Sequence, residues 1–213
     1  MAGQTVALLA QALSPPRWGG SSIWQAVVNE TNPADAPSHP QWQFRYFYNA
    51  DLRADRYEHA SGQHSELCLE QPRRLPYAAC TVLNAHDGRL YMIYPDATPS
   101  DTSCCFCNST TDSFLIRSDW LQRGSNTSYL GRSSIAGVIV DGWLKWGAFD
   151  NHYYATADAT QAPVRFKEHK HGQLKQWDFE DWAPVASADL FEPPSGCTTI
   201  CAATLCHARH RRT

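Results

Sequence analysis

The run WQFRYFYN at residues 42–49 narrows the possible folds of this chain more than any other segment. Every second side chain in it is aromatic, and the side chains of Gln43 and Arg45 between them are polar. Because successive side chains of a strand point to opposite faces, this alternation predicts a β-strand with one aromatic face. The chain has eight tryptophans, nine tyrosines and eight phenylalanines, which favour half-buried sheet surfaces, so we expect a β-rich protein.

Further runs of strand character follow one another closely, with turn residues between them. Asp87-Gly88 predicts a type I′ hairpin, since that turn needs positive φ at both central residues, and Asp141-Gly142 predicts a turn or bulge. A short helix is expected at residues 119–123 or in the C-terminal tail. Many short strands at close spacing indicate an antiparallel sandwich or barrel rather than a parallel α/β sheet. The runs lie at residues 22–28, 42–49, 51–59, 80–95, 134–150, 151–158, 163–169 and 172–182.

Length and charge limit what the chain can be. Its 213 residues correspond to one large domain or two small ones. The formal net charge of −3 argues against nucleic acid as a partner, because a nucleic-acid-binding face must neutralise phosphates. No run of about 18 apolar residues is present, so no transmembrane segment is expected. Residues 1–14 hold a short apolar run without a basic flank, which we interpret as a leader or a weak or truncated signal segment.

Eight cysteines in a chain rich in turn residues predict disulfides and an oxidising compartment. Three Asn-x-Ser/Thr patterns agree with secretion, and they predict glycosylation at Asn29, Asn108 and Asn126. The cysteines expected in disulfides are Cys68, Cys80, Cys104, Cys105, Cys107, Cys197, Cys201 and Cys206.

The segment CCFC holds three of these cysteines within four positions. A bond between the adjacent Cys104 and Cys105 would strain the peptide, and the Cys-Phe-Cys pair ending at Cys107 is too short for an ordinary bridge. All three are therefore expected to bond distant cysteines, although the sequence does not choose among the many connectivities. In an oxidising compartment we favour disulfides over the alternative, a zinc site at the C-terminus built from Cys197, Cys201, Cys206, His207 and His210.

Catalytic signatures are missing from the sequence, which has no Gly-x-Ser-x-Gly, His-Glu-x-x-His or phosphate-binding loop. Asp178, Glu180 and Asp181 could supply paired carboxylates, but two of them alternate with aromatic residues and are interpreted as a solvated strand face. His169 and His171 could ligate a metal, yet they lie in a segment with the composition of a charged turn. We therefore expect a non-catalytic protein without a metal site or cofactor.

Several segments, taken in order, resemble the ependymin-related proteins, particularly their divergent members from outside the vertebrates. The resemblance covers residues 15–197 as a single domain and leaves residues 198–213 as a Cys/His-containing tail. One departure is Val140-Asp141, where the family pattern has a cysteine. The matching segments are FRYFYNADLRADRYEH, CTVLNAHDGRLYMIYPD, CCFC, SDWLQRGSNTSYLGRSSIAGVIVDGWLKWG, HYYATADATQAPVRF and DLFEPPSGC.

The resemblance implies an all-β fold similar to that of bacterial periplasmic lipoprotein carriers. In that fold a strongly curved antiparallel sheet forms a half-open barrel around an apolar cleft. The family is secreted or lysosomal and glycosylated, and it is thought to bind lipids or other hydrophobic ligands. Calcium binding and cell–matrix adhesion are also attributed to it. An aromatic concave face would bury an acyl chain at about 0.8 kcal/mol per CH₂ group, and the candidate wall residues are Trp42, Phe44, Tyr46, Met92, Trp143 and Phe149. For any one of them taken singly, an ordinary core position is the favoured alternative, because aromatic side chains dominate protein cores.

We therefore predict a secreted, extracellular or lysosomal, disulfide-stapled protein that binds a lipid or another hydrophobic small molecule. The alternative is an extracellular, calcium-responsive adhesion or matrix glycoprotein, and a homodimer is compatible with both. A zinc-binding function of the tail ranks below them. One of Cys104, Cys105 and Cys107 is expected to bond Cys197, which would tie the middle of the sheet to the last loop.

Overall fold

The computed structural model describes most of the chain, and all structural statements refer to the residues that it describes. Outside them lie residues 1–13 of the leader predicted at 1–14, residues 202–213 of the tail predicted at 198–213, and Asn108 and His171. The described residues are 14–31, 42–62, 65, 68, 78–96, 103–107, 115–147, 149–170 and 173–201.

Eleven strands form one antiparallel sheet in this part of the chain, so the all-β, antiparallel prediction is confirmed. The sheet is open, with β6 and β7 as its edges, and the two-sheet sandwich alternative is wrong. The strands are β1 (Ile23–Thr31), β2 (Trp42–Asn49), β3 (Ala54–His59), β4 (Cys80–Asn84), β5 (Leu90–Ile93), β6 (Cys104–Cys107), β7 (Thr127–Ile135), β8 (Val138–Lys145), β9 (Asp150–Thr156), β10 (Pro163–Lys170) and β11 (Gln173–Ala183).

Two meanders make up the sheet. Strands β1 to β6 follow one another outward in one direction, and β11 back to β7 do so in the other. The meanders join where β1 pairs with β11, so the first and last strands of the chain lie side by side at the centre of the sheet. The long connection between β6 and β7 therefore runs from one edge of the sheet to the other.

Strand β2 has the two faces that its alternating sequence predicts. Phe44, Tyr46 and Tyr48 are buried in one aromatic cluster, whereas Phe47 is buried on the opposite face. Both faces of the C-terminal half of β2 are buried because the aromatic cluster covers one face, while Phe191 and Leu190 pack with Phe47 on the other.

Two turns differ from the sequence predictions. In the β4–β5 hairpin Gly88 has φ 80°, but Asp87 does not have positive φ, so the predicted type I′ turn at Asp87-Gly88 is wrong. The hairpin closes instead through a longer loop, in which the Gly88 N–H donates to Ala85 O at 3.0 Å. The turn predicted at Asp141-Gly142 lies inside β8.

The β7–β8 hairpin turns five residues earlier than that prediction, at Ala136-Gly137. Both residues have positive φ, 48° and 85°, which is the backbone geometry of a two-residue hairpin loop. An alanine in this conformation is disfavoured by its Cβ, so local sequence rules point away from it.

The predicted helix at residues 119–123 is a turn, in which the Gln122 and Arg123 N–H groups donate to Asp119 O. A single 3₁₀ helix, Ala188–Phe191, lies after β11 in the described part of the chain, and its Phe191 is buried against Phe47. None of the helical segments described is long and apolar enough to cross a membrane.

Three disulfides connect described cysteines. Cys68 bonds Cys80, and the other two join β6 to the end of the chain. The prediction that one member of CCFC bonds Cys197 is confirmed by the Cys104–Cys197 bridge, and Cys105 bonds Cys201. Cys107 is also disulfide-bonded, so all three clustered cysteines anchor the edge strand.

Candidate functional site

One face of the sheet carries two rows of mainly apolar side chains across the strands, in which Glu30 is the charged member. Residues directly opposite each other on neighbouring strands share a face. The first row crosses the half of the sheet from β2 to β6, and its members are Tyr46, Tyr57, Val82, Met92 and Cys105. The second row crosses from β8 through β11 and β1 to β2, and its members are Trp143, Tyr153, Phe166, Trp177, Glu30 and Trp42. We call this surface the aromatic face.

Trp18, in the segment before β1, lies at the centre of the aromatic face. It is fully buried, and its indole donates to the Tyr46 hydroxyl at 3.4 Å. The backbone around it is held by Tyr153, whose hydroxyl accepts the Gly19 N–H at 3.1 Å, and by Trp182, whose indole donates to Gly19 O at 3.1 Å. The ring of Trp18 lies 5.2–6.2 Å from the rings of Trp24, Trp120, Tyr153, Phe166 and Phe179.

The structure brings together most of the candidate wall residues named from the sequence. Phe44, Tyr46 and Trp143 belong to the aromatic cluster around Trp18, and the register places Trp42 on the same face. Met92 lies in a neighbouring cluster formed by β4, β5, β6 and the disulfides, which Tyr57 connects to the first. Phe149 precedes β9 and lies outside both clusters.

A buried carboxylate lies at one end of the aromatic face. Asp55 is fully buried, and its carboxylate accepts hydrogen bonds from the hydroxyls of Tyr46 at 3.3 Å and Tyr57 at 3.1 Å. The Asn84 amide donates to its other oxygen. A buried polar group needs such partners, because leaving it unpaired would cost more than the hydrogen bonds contribute.

Burial and negative charge hold the tyrosine hydroxyls protonated at this end. Burial, with Tyr57 and Asp55 adding to it, raises the pKa of Tyr46 well above its usual value. Burial also raises the pKa of Tyr48, with further contributions from the charges of Asp55 and Asp119. These hydroxyls therefore act as hydrogen-bond donors and acceptors at every physiological pH.

Three indole N–H groups in the aromatic cluster are buried without a hydrogen-bond partner among the described residues. They belong to Trp24, Trp120 and Trp143. Native proteins pair nearly all such donors with protein, water or ligand groups. Unpaired donors inside an otherwise apolar cluster are places where an acceptor from a bound molecule would be favourable.

A cleft opens beside the buried carboxylate, between the segment before β1, the β2–β3 turn and the segment at residues 115–119. Its cavity volume is about 340 Å³. Tyr48 connects the cleft to the aromatic face, since its ring packs 5.8 Å from that of Trp24. The side chains that line the cleft include Arg17, Tyr48, Arg53, Leu115, Arg117 and Asp119.

The other candidate groups from the sequence lie apart from the aromatic face or have structural partners. Asp178 is bound by Arg165 and Gln176, in agreement with a strand surface rather than a catalytic carboxylate pair. Cys197 and Cys201 are in disulfides, so a zinc site that uses them is wrong. The described residues contain no group of three or more His, Cys, Asp or Glu side chains placed to hold a metal ion.

The predicted glycosylation sites differ in exposure. Asn29 lies within β1, is 6% exposed, and its side-chain oxygen accepts from Gln43 at 3.0 Å, so its amide is not open to a glycan in this fold. Asn126 is exposed ahead of β7, and its amide donates to Trp146 O.

Sequence reasoning missed Trp18, Asp55 and the arginines of the cleft. The sequence Trp18-Gly19-Gly20 could have indicated that Trp18 is buried. Both glycines have positive φ and lack a Cβ, which allows the backbone to approach the sheet closely. No local pattern marks the arginines, because they come from three distant segments.

No protein-family model matches the chain, and no curated protein matches it in sequence. Solved structures with a similar arrangement include an uncharacterized conserved protein from Thermus thermophilus, with 12% identity and a TM-score of 0.49 over 84% of this chain and 90% of that one. LprF from Mycobacterium bovis has 12% identity and a TM-score of 0.41 over 83% of this chain and 92% of its own. The lipoprotein LppX from Mycobacterium tuberculosis has 14% identity and a TM-score of 0.36 over 80% and 91%. All three TM-scores lie below 0.5, so the similarity transfers no function to this chain.

Proposed function

We propose that this protein binds a lipid or another hydrophobic small molecule on the aromatic face and has no catalytic activity. The observation that carries the proposal is the set of unpaired indole N–H groups of Trp24, Trp120 and Trp143, among the described residues, within one contiguous apolar surface. A ligand with an apolar body and a few acceptor atoms would bury its surface there and satisfy those donors in a state in which the segment that carries Trp18 has moved aside, because Trp18 covers these indoles in this structure.

The contacts of Trp18 support a concave aromatic face, as the proposed half-open barrel requires. Trp24 on β1 and Tyr153 on β9 both contact the Trp18 ring, at 5.9 and 5.2 Å. Their strands lie three spacings apart in the sheet order, about 14 Å if the sheet were flat. Convergence of both rings on one indole is expected of a surface that is concave around Trp18.

We propose a secreted or lumenal location for the protein, with a fold related to that of the ependymin-related proteins. The disulfides support an oxidising compartment, where such bonds persist. The exposed Asn126 is the proposed glycosylation site among the described residues.

Exposed apolar side chains on the β7–β8 hairpin favour a second function, adhesion or self-association. Leu130 is 46% exposed and Ile139 54% exposed, and β7 is an edge strand with one side open to pairing. If this function operates, the protein will self-associate in sedimentation equilibrium, and the double variant Leu130→Lys, Ile139→Lys will be monomeric. Wild-type protein that remains monomeric at high concentration would exclude it.

Bromine quenching of tryptophan fluorescence tests the binding function. Six of the eight tryptophans belong to the aromatic cluster or pack against it. A bromine-labelled dodecanol, used below the concentration at which it aggregates, should quench this fluorescence saturably because bromine acts at close contact. Bromoethanol, which has no apolar chain, is the matched control and should quench only weakly and without saturation. Equal, non-saturating quenching by both probes would refute binding at the aromatic face.

A further inference from the structure

Two histidines on neighbouring strands lie side by side on the face of the sheet that is opposite the aromatic face. His152 on β9 is directly opposite Lys167 on β10. On the same pair of strands, His169 is directly opposite Asp150. Directly opposite residues share a face, as do residues two apart in a strand, so the two imidazoles project from one face. Tyr153, the neighbour of His152 in sequence, belongs to the aromatic cluster, so the imidazoles lie on the other side of the sheet.

The separation of the two rings fits the coordination of one metal ion by both of them. The ring centroids are 5.3 Å apart, and the ring planes are inclined by 36°. A zinc ion bound to one nitrogen of an imidazole lies about 2.05 Å from that nitrogen, and hence about 3.2 Å from the ring centre. Two ring centres 5.3 Å apart then subtend about 112° at the metal, which is close to the tetrahedral angle that zinc adopts.

The strands hold the two rings in a fixed relation to each other. Pairing between β9 and β10 is regular from residue 165 to residue 169, and its one register shift lies before Arg165. Binding groups on regular strands are placed more precisely than groups on loops, so less order must be gained when an ion binds. His169 is exposed and His152 is half-buried, which leaves the pair open to an ion from solvent.

The charges around the pair nearly balance. Among the described residues in register with it, Leu144 on β8 is directly opposite His152, and Leu174 on β11 is directly opposite His169. The charged side chains in register are therefore Lys167, which repels a cation, and Asp150, which attracts one. The imidazole nitrogens, rather than the local charge, must supply the affinity for a metal ion.

We propose that His152 and His169 together bind one divalent transition-metal ion, with Zn²⁺ as the expected ion, across strands β9 and β10. Imidazole suits zinc, copper and nickel, whereas calcium and magnesium prefer oxygen ligands. Two protein ligands leave two positions of a tetrahedral ion for water or an anionic group, so binding should be weaker than at structural zinc sites with four protein ligands.

This site was not predicted from the sequence, because strand register and not sequence spacing brings its two members together. The sequence suggested His171 as a second ligand beside His169, whereas the structure places His152 there. The site lies on the opposite face from the aromatic cluster, so it does not depend on the proposed function.

Titration calorimetry with Zn²⁺ tests the inference. We expect His152→Asn and His169→Asn each to weaken Zn²⁺ binding about tenfold or more, because each removes one of the two protein ligands. His86→Asn is the matched control and should bind Zn²⁺ like the wild type, since His86 is exposed in the β4–β5 loop, in the other half of the sheet. Ca²⁺ should bind the wild type far more weakly than Zn²⁺ does.

Nuclear magnetic resonance of the wild-type protein gives a reading that requires no variant to fold. The imidazole resonances of His152 and His169 should shift together and saturably with Zn²⁺, while those of His86 should stay unchanged. Zn²⁺ affinity that is unchanged in either His152→Asn or His169→Asn would overturn the inference, as would shifts confined to other histidines. Equal weakening in His86→Asn would also overturn it, because the affinity would then follow the number of histidines and not this pair.

Discussion

Replacing Trp18 by alanine should destabilise the protein by about 4 kcal/mol, near the middle of the range for such changes in cores. The side chain is fully buried, and five other aromatic rings surround it at 5.2–6.2 Å. Burial of an aromatic side chain removes about 200 Å² from water, worth about 5 kcal/mol at roughly 25 cal/mol per Å². Partial collapse of the cavity reduces this loss, and tryptophan-to-alanine changes in cores cost about 3–5 kcal/mol.

Urea unfolding followed by far-ultraviolet circular dichroism measures this loss without relying on tryptophan emission. The disulfides must be intact in both proteins, because reduction would add its own destabilisation. Trp146→Ala is the matched control, since Trp146 is 49% exposed and its removal should cost less than about 1 kcal/mol. A Trp18→Ala protein within about 1 kcal/mol of the wild type would refute the view that Trp18 centres the core of the aromatic face.

Three further outcomes follow from single contacts. Gly19→Ala should prevent stable folding or lower Tm sharply, because the new Cβ would lie 2.0 Å from the Trp24 ring and residue 19 has a φ of 73°. A Tm within a few degrees of the wild type would contradict this packing. Asp141, 5% exposed, pairs with Arg132, which lowers the pKa of its carboxyl. Its stabilising contribution is therefore present above the unfolded-state pKa and is lost as pH falls through the lowered folded-state pKa. The stability difference between wild type and Asp141→Asn, from urea titrations, should accordingly shrink below about pH 4, and a constant difference would contradict the pairing. Cys104→Ser should cost no more than about 2 kcal/mol, because the neighbouring Cys105–Cys201 bridge already closes nearly the same long loop, whereas peptide mapping that finds Cys104 unbridged in the wild type would contradict the bond.

Local sequence rules predicted the strands well because their signal is local. Each side chain of residues 42–49 alternates between faces, and the register then places Trp42, Phe44 and Tyr46 together without further information. The close spacing of the CCFC cysteines excluded bonds among them, which left distant partners.

Long-range arrangement accounts for what the sequence did not predict. Trp18 lies at the centre of the aromatic face because the segment before β1 folds back over the sheet. Residues 14–20 have no periodic pattern from which this packing could be predicted. The β7–β8 turn was predicted at the wrong residues because Ala136 has a positive φ, which sequence rules expect of glycine or asparagine. The cleft beside the aromatic face brings together residues 17, 53 and 117, whose proximity depends on the whole fold.

Native mass spectrometry of the protein after incubation with dodecanoate decides whether the chain binds a hydrophobic ligand, because it counts bound ligands on the intact chain. We predict a one-to-one complex that survives gentle desolvation and disappears when the disulfides that anchor β6 are reduced and the fold is lost. Trp146→Ala should give the same complex as the wild type. A spectrum that contains only the unliganded mass at every dodecanoate concentration below aggregation would contradict the proposal that this aromatic face binds a hydrophobic ligand.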